Sequence, residues 1–257
     1  MTRTIAIAMQ KGGVGKTTSV VNIASFLARS GKRVLVVDMD PQANATSYLG
    51  YDKSDIEKSI YNLLLEEANY KALILFDEET KVSLMPANTA LAGAEVELVN
   101  LMAREYRLRD GLASFNGDFD YILIDCPPSL GLLTINALAA ARDGIIIPVQ
   151  CEYLALEGLT QLMQTIQLVQ KHLNPRLQIR GLVMTMYDGR TNLSRQVVEE
   201  VRTHFPGKVF RTIIPRNVRL SEAPSYGQPI TLYAPDSPGA IAYQYLTKEI
   251  VTGDSNA

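Results

Sequence analysis

Ile5-Ala6-Ile7-Ala8-Met9-Gln10-Lys11-Gly12-Gly13-Val14-Gly15-Lys16-Thr17-Thr18-Ser19-Val20-Val21-Asn22 opens as an apolar run, breaks into glycines, and resumes with the apolar spacing of a helix. A strand, a Gly-rich loop and a helix in that order form a phosphate cradle. The glycines let backbone N–H groups turn inward around an anion at a helix N-terminus, where the dipole favours negative charge. Lys16 then stands where it reaches β- and γ-phosphates, and the Thr17 hydroxyl where it ligates magnesium. The bland alternative is a glycine turn that merely caps a helix, but Gly15-Lys16-Thr17 in frame after an apolar strand weighs strongly against it. Lys11, Gly12, Gly13, Val14, Gly15, Lys16, Thr17 and Thr18 are therefore the candidate cofactor-binding segment for a magnesium nucleotide.

Outward from this loop, Val- and Ile-rich runs recur at Thr4–Met9, Arg33–Asp38, Tyr121–Asp125, Gly144–Val149 and Gly181–Met186. Continuous apolar runs of this length read as parallel strands buried on both faces. Segments of helical period lie between them at Thr17–Arg29, Leu130–Ala141, Leu156–His172 and Leu193–His204. The alternation predicts an α/β fold: a doubly wound, mainly parallel sheet with helices on both faces, in one domain over 1–257. The stretch 51–103 is the least legible, mostly helical in pattern with a weak strand at Val82–Met85.

The 257 residues are 47% hydrophobic and 20% charged, enough for a sizeable core, and the net charge of −2 excludes global attraction to polyanions. Only two cysteines occur, Cys126 and Cys151, with no CxxC, so neither a disulfide framework nor a zinc or iron–sulfur site is expected. No apolar stretch reaches the roughly 18 residues of a membrane span. A cytoplasmic protein is expected.

A magnesium triphosphate site calls for a carboxylate at a neighbouring strand end, and Tyr121-Ile122-Leu123-Ile124-Asp125 supplies one. Thr17 and Asp125 are the candidate metal ligands. Asp38 and Asp40 follow a second strand: Asp40 is placed to orient an attacking water, while Asp38 is either part of that chemistry or a buried partner of loop hydroxyls.

Lys11-Gly12-Gly13 before Gly15-Lys16-Thr17-Thr18 resembles the deviant Walker A loop of the ParA/MinD ATPases. The segments Asp38-Met39-Asp40-Pro41-Gln42-Ala43-Asn44, Asp125-Cys126-Pro127-Pro128-Ser129, Pro148-Val149-Gln150-Cys151-Glu152-Tyr153 and Ile214-Pro215-Arg216-Asn217-Val218-Arg219 are similar to the chromosomal ParA (Soj) branch, and the resemblance runs from about Thr4 to Val251. It implies ATP and Mg2+ as cofactors, hydrolysis to ADP and phosphate, and a homodimer closed face to face by ATP. It implies catalytic roles for Lys11, reaching into the partner's site, for Lys16 and for Asp40. Adenine contacts would fall on Thr185–Tyr187, centred on Met186, and on Pro215, Arg216 and Asn217. Pro127 and Pro128 would sense the γ-phosphate. Glu152 resembles a position near the ribose, with helix capping as the alternative. Where the family reads Asp-Pro-Gln-Gly-Asn, this chain has Ala43, which would be strained if the position needs φ > 0.

Family members differ in the surface they sit on. ParA-like proteins bind double-stranded DNA without sequence preference on the nucleoid and answer to a centromere-binding ParB-like partner, in chromosome or plasmid segregation; MinD-like regulators of cell division cycle on a membrane through a C-terminal amphipathic helix. After Val251 the sequence shows no basic amphipathic extension, so membrane binding by that route is not expected. Lys171, Arg176, Arg180, Arg190, Arg195, Arg202, Lys208, Arg211, Arg216 and Arg219 instead form a basic stretch against only Asp188, Glu199 and Glu200. The plain alternative is a set of solvated arginines. By resemblance, Arg190 and Arg219 are the candidate DNA-binding residues. A redox or metal-cluster carrier of the same superfamily would need paired cysteines that are missing here.

Overall fold

Each central strand owes its place to a short apolar run rich in Val, Ile and Leu. In the computed structural model, which describes residues 2–66, 70–115, 117–153 and 155–255, the strands are β1 (Arg3–Ile7), β2 (Val34–Asp38), β3 (Leu75–Phe76), β4 (Val82–Met85), β5 (Tyr121–Asp125), β6 (Ile145–Gln150) and β7 (Ile179–Thr185). They form a seven-stranded sheet in the order β3-β4-β2-β5-β1-β6-β7, parallel throughout except for the antiparallel edge pair β3–β4. Every residue of β2 and β5 is buried, the signature of strands covered on both faces.

The pleat divides the core in two. Ile5, Ile7, Val34, Val36 and Leu123 face the layer built by the helices Lys16–Arg29 and Pro238–Ser255. Ala6, Leu35, Val37, Ile122 and Ile124 face the opposite layer, which includes the helices Leu132–Ala140, Ala155–His172 and Asn192–His204. Alternate residues of one strand thus anchor opposite helix layers.

Several expected boundaries move. β1 ends at Ile7 rather than Met9, because Ala8 and Met9 begin the turn into the glycine loop. β7 starts at Ile179 and stops at Thr185, because Met186 adopts φ 52 and leaves the extended region. Within 51–103, β4 stands where the weak strand was expected, but the helices there are short (Ile60–Leu65 and Leu91–Leu98). The two-residue edge strand β3 was not foreseen. A further unforeseen segment runs parallel to β7 at the sheet edge, bridging Leu182 to Val209 and Tyr187 to Pro215. It carries Pro215 to the end of β7 where Met186 lies.

Candidate active site

The phosphate loop leaves β1 at the C-terminal edge of the sheet. Gly13 and Gly15 take φ of 72° and 89°, conformations costly for any residue with a Cβ, and Gly15 caps the helix Lys16–Arg29 without any side-chain hydrogen bond. The first N–H groups of that helix are left for an anion. The loop is pinned from across the sheet by Thr185, whose hydroxyl donates to the Val14 carbonyl at 2.9 Å. Its helix is pinned from behind: Asn22, fully buried, donates to the Thr18 carbonyl at 2.8 Å and accepts from the Ile230 N–H at 2.8 Å.

Lys16 is buried, and its ammonium donates to the Lys11 carbonyl at 3.1 Å. Burial pulls its pKa below the usual lysine value, opposed by the nearby Asp125 carboxylate. Strand pairing sets Asp38 directly opposite Asp125 and Ile7 opposite Asp125 on the other side, so two carboxylates stand side by side at the head of the loop. Both are fully buried. Asp38 is satisfied by hydrogen bonds; neither oxygen of Asp125 completes one, although the nearby Thr17 hydroxyl favours its charged form. Burial drives Asp125 well above the ordinary carboxylate value, and the Asp38 charge adds to it; burial lifts Asp38 to about 6.

An unpartnered buried carboxylate costs several kcal/mol unless it is protonated or meets a cation. A hard cation beside Thr17 fits these orphaned oxygens. Among the described residues no cluster of three or more His, Cys, Asp or Glu side chains forms a self-sufficient metal cage. Magnesium bound by one or two protein oxygens and by phosphate needs none.

Two connected cavities run along this edge. One, of about 560 Å3, is lined by Gly12, Gly13, Lys16, Thr17, Asp40 and Pro128, together with Gln42, Asn44, Ser47, Tyr48 and Ser225. A second, of about 210 Å3, is lined by Pro215, Arg216, Asn217, Ile214 and Tyr243. Gly15, Thr18, Met186 and Pro224 wall both, so the two form one continuous cleft. The Asn217 side-chain oxygen is buried without a partner. A groove of about 700 Å3 between the helices Lys16–Arg29 and Pro238–Ser255 is larger, but the glycine loop and the paired carboxylates take no part in it.

The structure thus gathers Lys11 to Thr18, Asp40, Asp125, Met186 and the 215–217 turn at one sheet edge. Tyr48 and Tyr243, which also line the cleft, carried no sequence signal; Tyr243 comes from the last helix and is held by Ser19, hydroxyl to hydroxyl, at 3.1 Å. Of the two readings of Asp38, the structure supports the buried partner of a hydroxyl, that of Thr46, which stands on the short helix Asn44–Tyr48 after the loop. Glu152 pairs with Lys11 at 3.3 Å and with Arg216 at 3.6 Å.

The basic stretch does not form one surface. Arg180 is a correction: its side chain is only 16% exposed and is held by Asp254 and the Ile250 carbonyl, because β7 carries it into the sheet. Lys171 and Arg176 precede β7 and lie toward the opposite edge of the sheet from Arg216 and Arg219. Arg190 and Arg219 are exposed, each paired with its own neighbour, Asp188 at 2.7 Å and Glu222 at 2.9 Å.

A parallel sheet with a glycine loop after its central strand, a lysine on the loop helix and a carboxylate closing the adjacent strand defines the P-loop NTPases, here with the additional early lysine of the deviant form. Comparison with known proteins narrows this. Residues 2–179 match a family model described as an AAA domain. The chain is 56% identical to the sporulation initiation inhibitor protein Soj of Bacillus subtilis over 250 residues, covering 97% of this chain and 98% of that protein. It is 53% identical to the chromosome partitioning protein ParA of Myxococcus xanthus, covering 98% and 89%. Among solved structures, cobyrinic acid a,c-diamide synthase from Mycobacterium smegmatis with a bound ATP analogue and magnesium superposes with a TM-score of 0.88 at 40% identity, covering 99% and 96%. The septum site-determining protein MinD of Pyrococcus horikoshii, complexed with Mg-ADP, gives 0.78 at 27%, covering 97% and 96%. The chain belongs to the ParA/Soj family of chromosome-partitioning ATPases.

Proposed function

We propose that this protein is a magnesium-dependent ATPase whose ATP-bound homodimer holds double-stranded DNA without sequence preference and lets it go on hydrolysis, in chromosome or plasmid partitioning. The observation that carries the reading is the unpartnered Asp125 carboxylate, buried beside Lys16 and Thr17 at the mouth of the glycine loop. Thr17 and Asp125 would hold Mg2+, which when bound neutralises charge on the phosphates. Lys16 and the loop N–H groups bind the phosphates, and Asp40 orients the attacking water. The adenine sits between Met186 and the 215–217 turn, where the free Asn217 oxygen accepts from its amino group.

Dimer closure is supported by Gly12, around which a Cβ would meet no atom within 4 Å, leaving the loop open to a second molecule. Lys11 then serves the partner's site, stabilising charge on the transferring phosphoryl group. Before it can do so, its pairing with Glu152 must open; both side chains are partly exposed, so this costs at most about 1 kcal/mol. Arg190 and Arg219 contact phosphates, with a salt dependence set by the number of contacts. A ParB-like protein accelerates hydrolysis.

The test uses Asp40→Ala with Mg-ATP. It should bind nucleotide, elute as a dimer and shift duplex DNA, and Arg219→Glu in that background should weaken the shift without changing nucleotide affinity. A variant that binds ATP yet stays monomeric defeats the reading. Sedimentation with vesicles instead of a DNA shift would favour the MinD-like alternative.

A further inference from the structure

The loop that carries Asp40 is closed by a single carboxylate. Asp38 accepts the Asp40 N–H on one oxygen at 3.1 Å, and on the other the N–H and the hydroxyl of Thr46, each at 2.8 Å. The Thr46 hydroxyl in turn accepts the N–H of Ala87 at 3.0 Å. Ala87 follows the end of β4, next to Pro86, whose carbonyl takes the Ile60 N–H at 2.8 Å. One buried hydroxyl therefore has both of its roles in use, as donor to the end of β2 and as acceptor from the end of β4.

Asp38 and Thr46 are fully buried and neither lines the nucleotide cleft, whereas Asp40 of the loop and Asn44 and Ser47 of the short helix Asn44–Tyr48 that follows it do. Asp40 is held in place by backbone, and that backbone is held by Asp38. The least legible part of the sequence, 51–103, thereby reaches the reacting end of the cleft through a buried side-chain hydrogen bond, beside the Tyr51 N–H to the Thr46 carbonyl at 3.2 Å and the exposed Lys53 ammonium to the Gln42 carbonyl at 3.1 Å.

We propose that Thr46, through Asp38, is a positioning residue for hydrolysis: it fixes the Asp40 carboxylate toward the terminal phosphate by tying the loop to the end of β4. The inference rests on the ATPase reading and deepens it. A displacement of about 1 Å in a reacting group costs on the order of 100-fold in rate, while binding by the glycine loop, which the tie does not touch, is unaffected.

The experiment compares wild type, Thr46→Val, Thr46→Ser and Thr46→Ala by single-turnover hydrolysis of Mg-ATP, titration with a fluorescent ATP analogue and thermal melting. Valine keeps the shape and loses the hydroxyl; serine keeps the hydroxyl and loses the methyl. Thr46→Val should hydrolyse ~10- to 100-fold more slowly with affinity within about 3-fold of wild type, and Thr46→Ser should recover to within about 3-fold. Should valine unfold the protein at assay temperature, the smaller Thr46→Ala decides by the same criteria. Wild-type turnover in the valine variant (or in alanine, where it decides), affinity falling in step with turnover, or failure of serine to rescue overturns the inference. Those outcomes leave the ATPase reading standing; a wild type that never hydrolyses ATP removes both.

Discussion

Ala43 stands where the motif that the sequence resembles would have glycine, and the structure puts it at φ 54, ψ 41, fully buried, as the cap of the short helix Asn44–Tyr48. Left-handed backbone costs a residue with a Cβ about 1–2 kcal/mol. Glycine would relieve this, but would add about 0.5–1 kcal/mol of unfolded-state entropy and forfeit about 0.8 kcal/mol from the buried methyl. The terms nearly cancel. Ala43→Gly should therefore change the melting temperature by no more than about 2 °C, while Ala43→Val, β-branched and without room, should lower it by roughly 4–8 °C. Calorimetry on the two variants checks this, and a clearly stabilised glycine variant would mean the methyl packs against little. That the position would be strained if it required φ > 0 was legible from the motif; that it does require it was not.

At the scale of elements, the last helix is fastened by charge at the sheet's N-terminal edge. Asp254, its carboxylate 6% exposed, pairs with Arg180 and with Arg3 at 3.3 Å and accepts from the Tyr121 hydroxyl at 2.6 Å. The tyrosine is thereby kept neutral, its pKa driven up by burial and by the adjacent carboxylate. Removing one member of such a cluster strands the others. Asp254→Ala should cost about 3–5 kcal/mol in urea unfolding, because Arg180 is left buried without its counter-charge. A loss below about 1 kcal/mol would show that water reaches the cluster. No periodicity in the sequence joins Arg3, Tyr121, Arg180 and Asp254. A run of arginines counted along the chain therefore overstated the exposed charge by one residue whose partner lies 74 positions away.

For the whole molecule, the site is a store of unfavourable charge. Burial lifts the Asp38 carboxyl from its ordinary 3.8 to about 6, and burial together with the Asp38 charge raises Asp125 as well. The native state thus holds protons that the unfolded chain releases, so the contribution of this carboxylate pair is greatest at low pH and is lost as pH rises through about 6. Asp120 and Asp188, held down to about 2 by Arg33 and Arg190, act in the opposite sense but only below about pH 4. Ligand-free protein should therefore melt higher at pH 5.5 than at pH 7.5. Mg-ATP should raise the melting temperature more at pH 7.5, since a cation removes the penalty that protonation otherwise relieves. Equal shifts at both values would contradict a cation bound at Asp125.

What the sequence determined by itself was whatever short-range chemistry enforces. Buried parallel strands need nearly continuous apolar runs, as in Val34–Val37 and Tyr121–Ile124, and a phosphate loop needs glycines and a lysine within a few residues, so the central parallel strands, the long helices between them and Lys11 to Thr18 could be read directly. Only the tertiary structure decided which strand ends lie together, because strand order is set by packing of helix layers and leaves no local trace. That order sets Asp38 against Asp125, brings Met186 to Pro215 and Tyr243 to Ser19, and divides the basic stretch between opposite edges of the sheet.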